Sequence, residues 1–106
     1  MTPDDRFTQL LDDLKMMGVT QNPFFGRRGL VADGKVIACF LDDSVAFKLG
    51  RSTEALSRAL ELSGADLWYP GNKIVPFKDW VRVPDTHQDE WGRLAEQALH
   101  HIRETL

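Results

Sequence analysis

Short apolar runs separated by turn residues dominate residues 24–49 of this chain. Three runs rich in Val, Ile, Phe and Leu are separated by Asp33-Gly34 and by Asp42-Asp43. An Asp-Gly pair between apolar runs is typical of a tight hairpin, because a type I′ turn needs positive φ at both central residues. The sequence therefore predicts a three-stranded meander at the centre of the fold.

Apolar positions in three further segments recur at spacings of three and four residues, which is typical of amphipathic helices. The first predicted helix begins at Pro3, with Thr2 as its N-cap, and ends at Gly18. The second begins after Ser52, the expected N-cap, and ends at Gly64.

The apolar stripes of these helices give the expected core. The first stripe contains Phe7, Leu10, Leu11, Leu14 and Met17. The second contains Ala55, Leu56, Ala59 and Leu60, with Ser63 as a further position. The third helix is expected to have Asp85 or Thr86 as its cap, and its stripe is the most regular: Trp91, Leu94, Ala95, Ala98, Leu99 and Ile102.

The remaining segments complete the order of elements. Gln21-Asn22-Pro23 is expected to be a loop, and residues 65–69 and 77–83 are expected to be strands. The predicted order is α-β-β-β-α-β-β-α within one domain, residues 1–106. This order favours a two-layer α+β fold in which the helices cover one face of a five-stranded antiparallel sheet. The other face is then solvated or binds a partner.

Composition narrows the functional classes. The formal net charge of −3 argues against broad sequence-independent binding to nucleic acid, which needs a basic face. The single cysteine, Cys39, excludes an intrachain disulfide. The first residues do not resemble a signal peptide, and no apolar run approaches the ~20 residues of a membrane span. We therefore expect a cytoplasmic protein that does not bind membranes.

The polar residues do not form a pattern typical of catalysis or metal binding. The paired acids fall in a turn or on solvent faces of predicted helices, whereas general acid–base work needs carboxylates that converge in a cleft. His100 and His101 are adjacent, and His87 is remote, so the histidines lack ligand spacing. Cys39 is expected to be a buried, inert thiol. We expect a non-enzymatic protein without a catalytic residue, metal or cofactor.

Aromatic, cationic and glycine residues around the predicted sheet are the candidates for binding a partner. They are Phe25, Gly26, Arg27, Arg28, Lys48, Trp68, Tyr69 and Trp80. Each class also has a structural explanation: the glycines can meet backbone needs, the cations can protect strand edges, and the aromatics can belong to the core. Strand alternation places Arg27 and Arg28 on opposite faces, and Trp68 and Tyr69 likewise.

Several short motifs resemble the N-terminal domain of the TfoX/Sxy family. They are Phe25-Gly26, Gly29-Leu30, Asp33-Gly34-Lys35, Phe47-Lys48 and Arg82-Val83-Pro84. The resemblance spans residues 7–99 and implies a secretion-chaperone-like fold of one helix, three strands, a helix, two strands and a helix. Full-length members add a C-terminal helical domain and regulate bacterial competence alongside the cyclic-AMP receptor protein. This chain is expected to be a stand-alone N-terminal module, and Phe24-Phe25-Gly26 replaces the family's Met-Phe-Gly.

The resemblance implies a regulatory or protein-interaction module linked to transcription or competence. The alternatives are a chaperone-like homodimer that holds another protein, a weak direct DNA binder, and a small-molecule binder or enzyme. We expect a protein partner, and self-association through the sheet face away from the helices or through an edge strand. Contact with nucleic acid is expected to be indirect or absent.

Overall fold

The computed structural model describes residues 1–71 and 74–104. Within these ranges the helices are α1 (Pro3–Leu14), α2 (Glu54–Leu60) and α3 (Trp91–Glu104), with 3-10 helices at Lys15–Met17 and Asp85–Glu90. The strands are β1 (Thr20–Phe24), β2 (Arg27–Ala32), β3 (Lys35–Phe40), β4 (Ser44–Lys48), β5 (Asp66–Trp68) and β6 (Phe77–Pro84). No helix in the described ranges is long and apolar enough to cross a lipid bilayer.

The strands form one antiparallel sheet with the order β1-β2-β3-β4-β6-β5. Side chains from all three helices pack in one buried cluster with residues of β2, β3, β4 and β6, so the helices lie on one face of the sheet. The α+β class predicted from the sequence is confirmed. The expected five strands and their order are wrong, because the described part of the chain contains a sixth strand before the meander.

The additional strand is β1, in the segment Gln21-Asn22-Pro23 that the sequence predicted as a loop. It lies at the edge of the sheet and pairs with β2 from Thr20–Val31 to Phe24–Arg27. Pro23 has no N–H to donate, which an edge strand tolerates. A two-residue turn joins β1 to β2, and both of its residues, Phe25 and Gly26, have positive φ (53° and 71°). A phenylalanine is uncommon in this conformation, so the turn gave no hairpin signal.

The predicted meander is confirmed as β2, β3 and β4. Asp33 and Gly34 connect β2 to β3 with φ of 53° and 79°, as a type I′ turn requires. The strands predicted at 65–69 and 77–83 are also present, as β5 and β6.

The first helix begins where the sequence predicts, but its last predicted core residue lies outside the core. Thr2 caps α1 by accepting a hydrogen bond from the Asp5 backbone N–H at 3.1 Å, as predicted. Gly18, with φ of 87°, ends the 3-10 turn that follows α1. Met17 does not join the core, because this 3-10 turn rotates it away from the stripe and leaves it 40% exposed.

The second and third helices begin later than predicted. Ser52 has a φ of 64° in the preceding turn, so the N-cap of α2 is Thr53, whose hydroxyl accepts a hydrogen bond from the Leu56 N–H at 3.1 Å. The helix ends at Leu60 rather than at Gly64. The 3-10 segment Asp85–Glu90 precedes α3, so neither predicted cap residue starts that helix. The six predicted core residues of α3 are all buried.

The Asp33-Gly34 turn gives a test of backbone strain alone. A Cβ at Gly34 would meet no atom within 4 Å, so a substitution there is resisted only by its φ of 79°. We expect Gly34→Val to lower the free energy of unfolding by about 1–3 kcal/mol, measured by denaturant titration. Gly34→Asn is the matched control, because Asn tolerates the left-handed region. Equal stabilities of the Val variant and the parent would contradict the turn assignment.

Candidate functional site

The sheet face opposite the helices has a buried cluster of its own. Trp68 and Trp80 cover Cys39 and Ala46, both 0% exposed, with partly buried residues at its margin. Ring contacts join five aromatic side chains here: Phe24, Phe25, Trp68, Phe77 and Trp80. We call this surface the aromatic face. No described helix residue belongs to its buried cluster.

Contacts across the aromatic face show that the sheet is strongly curled. β1 and β5 are at opposite edges. In a flat sheet, five spacings of ~4.8 Å would separate them by about 24 Å. The ring centroids of Phe24 in β1 and Trp68 in β5 are nevertheless 6.1 Å apart. The two edges therefore bend toward each other over the centre of the sheet.

Gly29 permits this bend. A Cβ at Gly29 would lie 2.9 Å from the backbone oxygen of Asn22, which is too close for a side chain, and 3.0 Å from the Cβ of Phe24, which would have to shift. Gly29 pairs with Cys39, and Cys39 pairs with Ala46, so three small residues of adjacent strands form one row. This row leaves the space that the aromatic rings fill.

The rings pack in the geometries that aromatic pairs prefer. Phe24 stacks on Trp80 with a centroid distance of 5.7 Å and an interplanar angle of 14°. Trp68 and Phe77 meet edge to face at 5.6 Å and 89°. Such pairs contribute about 0.5–1.5 kcal/mol each beyond the area they bury. The curl and the cluster therefore stabilise each other.

A cleft of about 690 Å³ opens at one side of the aromatic face. We call it the aromatic cleft; it is lined by Phe25, Arg27, Leu41, Asp43, Ser44, Asp66, Leu67, Trp68, Tyr69, Gly71 and Arg82. Its arginines are already paired. Arg82 lies 2.9 Å from the Asp66 carboxylate and donates to the Gly64 carbonyl, and Arg27 lies 3.1 Å from Asp42. The cleft therefore offers a partner aromatic surface beside arginines that are already paired.

A second cleft, of about 420 Å³, lies beside Trp80. We call it the cationic cleft; it is lined by Lys48, Arg51, Val75, Pro76, Phe77, Lys78, Asp79 and Trp80. Asp79 accepts hydrogen bonds from the Arg51 N–H and Nε at 2.7 and 3.2 Å. Burial acts to raise the pKa of Asp79, but these hydrogen bonds and the charges of Arg51 and Lys48 together lower it below its ordinary value.

Most of the candidate residues from the sequence lie at these clefts. Phe25, Arg27, Trp68 and Tyr69 line the aromatic cleft, and Lys48 and Trp80 line the cationic cleft. Trp68 is 5% exposed, whereas Tyr69, one residue beyond β5, is 49% exposed. Gly26 occupies the tip of the β1–β2 turn, where its φ explains the glycine.

Arg28 lies away from both clefts. Its guanidinium lies 2.6 Å from Asp4 and 5.0 Å from the ring centroid of Phe7, in α1. It therefore fixes α1 to the sheet on the helical side. Strand alternation predicts that Arg27 points the other way. The guanidinium of Arg27 pairs with Asp42 instead, but both arginines line a third cleft, of about 500 Å³, beside Phe25 and Gly26.

Sequence reasoning missed Phe77, Arg82 and Lys78 as residues of these clefts, and Phe24 as a residue of the aromatic face. Phe24 and Phe77 were assigned only to strands, because the curl that brings them together is not visible in alternation. A signal was present for Lys78: the apolar run Ile74-Val75-Pro76-Phe77 lies between two lysines in the sequence.

His87 and His100 contact different partners and do not share a site. His100 lies 2.7 Å from Glu104, one turn along α3, and His87 donates to the Ser63 carbonyl at 2.8 Å. Among residues 1–71 and 74–104, no group of three or more His, Cys, Asp and Glu side chains is placed to hold a metal ion.

Replacing Gly29 tests whether the curl depends on the absent side chain. We expect Gly29→Ala to lower the free energy of unfolding by about 1–3 kcal/mol, because its methyl group overlaps Asn22 and Phe24. The near-ultraviolet circular dichroism of the stacked rings should weaken. Gly92→Ala is the matched control, because Gly92 lies in α3 and a Cβ there meets its nearest atom, Nη2 of the flexible Arg6 side chain, at 3.4 Å. If both variants behave alike, crowding at Gly29 is not the cause.

Cys39 gives a prediction about pH. Burial raises the pKa of its thiol from 9.0 to about 11, against the opposing charge of Arg27. Below pH 9 the folded and unfolded states are both protonated. As pH rises from 9 to 11, the unfolded state loses the proton first, so stability should fall by about 2–3 kcal/mol.

Cys39→Ala is the control for that titration. Other groups titrate in the same range, so the difference between parent and variant isolates the thiol. The denaturant midpoint of the parent, measured at pH 8, 9, 10 and 11, should fall relative to that of the variant as pH rises. Parallel pH profiles would contradict the assignment.

Comparison of the chain with protein-family models, with curated proteins and with solved structures gave no significant match. The resemblance to the TfoX/Sxy N-terminal domain therefore rests on the residues of this chain. Two of its motifs, Phe25-Gly26 and Asp33-Gly34, are two-residue turns with positive φ, and Gly29 is the point of close approach.

Proposed function

We propose that this protein is a non-enzymatic interaction module that binds a protein partner through the aromatic face. The observation that carries the proposal is where apolar side chains are exposed. Of the seven large hydrophobic residues exposed in the described ranges, Phe25, Tyr69 and Val75 line the clefts of this face, and Ile74 directly precedes Val75 in the chain. The others, Met1, Met16 and Met17, are at the two ends of the first helical segment.

The chemistry of the clefts supports binding over catalysis. Arg27, Arg82 and Asp79 each hold an oppositely charged neighbour within 3.2 Å. Aromatic residues are enriched in protein interfaces, and their buried neighbours keep them rigid at little entropic cost. Exposed Phe25 contacts Trp68 and Phe77 at 6.1 and 6.0 Å between centroids, so it is held in place before a partner arrives.

The resemblance to the TfoX/Sxy N-terminal domain supports a regulatory role for this binding, linked to transcription or competence through the partner. The structure adds β1 to the order of elements that the resemblance implies. The edge strand and the Phe25-Gly26 turn place Phe25 at the aromatic cleft, so one of the motifs that carry the resemblance lies at the proposed binding surface.

A site-specific cross-link in the source cell tests the proposal. A photoreactive benzoylphenylalanine at Tyr69 should capture one defined protein. The same residue at Met16, which is 98% exposed but away from the face, is the matched control and should not. Phe25→Asn should reduce the Tyr69 adduct at least about tenfold, because the ring is lost while Asn accepts the φ of 53°.

The mass of the adduct separates the proposal from its alternative. An adduct of twice 12.0 kDa would show that the partner is a second copy of this chain, as in a chaperone-like homodimer. Equal labelling from Tyr69 and Met16, or an adduct that Phe25→Asn leaves intact, would contradict the aromatic face as the binding surface.

A further inference from the structure

We propose that the partner segment bound by the aromatic face is an acidic, extended peptide with at least one large apolar side chain. This inference rests on the proposed function and adds the chemistry of the partner. The aromatic face by itself selects only apolar groups. The cationic cleft at its side supplies the selection for charge.

The cationic cleft has an excess of positive charge. Lys48, Arg51 and Lys78 line it against a single carboxylate, Asp79. That carboxylate is held by Arg51, through its N–H and Nε. Lys48 and Lys78 make no ion pair with any described residue. In a chain of net charge −3, three cations around one cleft are a local feature that complements an acidic ligand.

Apolar groups in the same cleft define the second requirement. Val75 is 60% exposed and lines the cleft together with Pro76, Phe77 and Trp80. The cleft therefore offers apolar surface and unpaired ammonium groups side by side. A segment that places a Leu, Phe or Trp next to Asp or Glu would satisfy both.

Continuity between the two clefts indicates an extended ligand. Phe77 lines the cationic cleft and contacts Phe25 and Trp68, which line the aromatic cleft, at 6.0 and 5.6 Å between centroids. An extended chain advances about 3.3 Å per residue, so a few residues cover this path. The ligand would place apolar side chains at Phe25 and acidic ones at Lys48 and Lys78.

The charges of the aromatic cleft favour a peptide over a continuous polyanion. Asp43 and Asp66 line it, and Arg82 is neutralised by Asp66. A nucleic acid strand or an anionic membrane would bring negative charge to these carboxylates as well as to the lysines. A peptide can place acids at the cationic cleft alone.

Selection from a random peptide library on the immobilised full chain tests the inference. Enriched peptides should combine Asp or Glu with Leu, Phe or Trp. A fluorescently labelled enriched peptide should lose affinity about tenfold with each of Lys48→Glu and Lys78→Glu, measured by polarisation. Lys35→Glu is the matched control, because Lys35 lines neither cleft, and it should change affinity less than twofold. Melting temperatures verify that each variant folds.

Three outcomes would overturn the inference, and they differ in what else they affect. If peptide affinity depends on Phe25 but is unchanged by Lys48→Glu and Lys78→Glu, the acidic requirement is contradicted and the proposed function stands. If the peptides also bind the Phe25→Asn variant with unchanged affinity, or if no peptide is enriched, both the acidic requirement and the proposed function are contradicted. Tighter lysine-dependent binding to phosphatidylserine vesicles or to single-stranded DNA than to the enriched peptide would assign the cleft to that ligand instead.

Discussion

The close approach of β1 to β2 at Gly29 is the constraint on which the aromatic face, and with it the proposed binding surface, depends. Without a side chain at that position, the Asn22 carbonyl and Phe24 bend over the strand beside them. The bend brings the ring of Phe24 onto that of Trp80, which lies on the same face of the sheet but in β6, four strand positions from β1. A flat sheet would leave these rings in solvent, more than 10 Å apart on the strand spacing alone. The curl therefore creates a second apolar cluster where one covered face was expected.

The two faces of the sheet bury their apolar side chains in different ways. On the helical face, the stripes of the three helices and the strand residues opposite them form the main core. On the aromatic face, small residues at Cys39 and Ala46 lie beneath large rings, and no helix is needed to bury them. Because no helix covers this cluster, the aromatic side chains at its margin are only partly buried, and Phe25 and Tyr69 remain exposed. This exposed margin of the aromatic face is the surface that we propose binds a partner.

Charge is distributed to match this division. Arg28 pairs with Asp4 and lies over Phe7, so it fixes α1 to the sheet. Arg27, its neighbour on the other face, pairs with Asp42 at the aromatic cleft. Lys48 and Lys78 differ from both, because neither has an ion-pair partner among the described residues. Solvated ammonium groups at a cleft can be taken up by a ligand without breaking an existing pair, which makes that end of the face the favourable place for acidic recognition.

The sequence by itself determined the elements whose signals are local. Helical periodicity placed the six core residues of α3, and Asp33-Gly34 placed the central hairpin, because each depends on neighbours a few residues apart. It missed β1, since Pro23 and a phenylalanine with positive φ do not indicate a strand and its turn. Only the tertiary structure decided which aromatics meet. Phe24 and Trp80 are 56 residues apart in the chain, and their contact depends on a sheet curvature that no strand encodes alone.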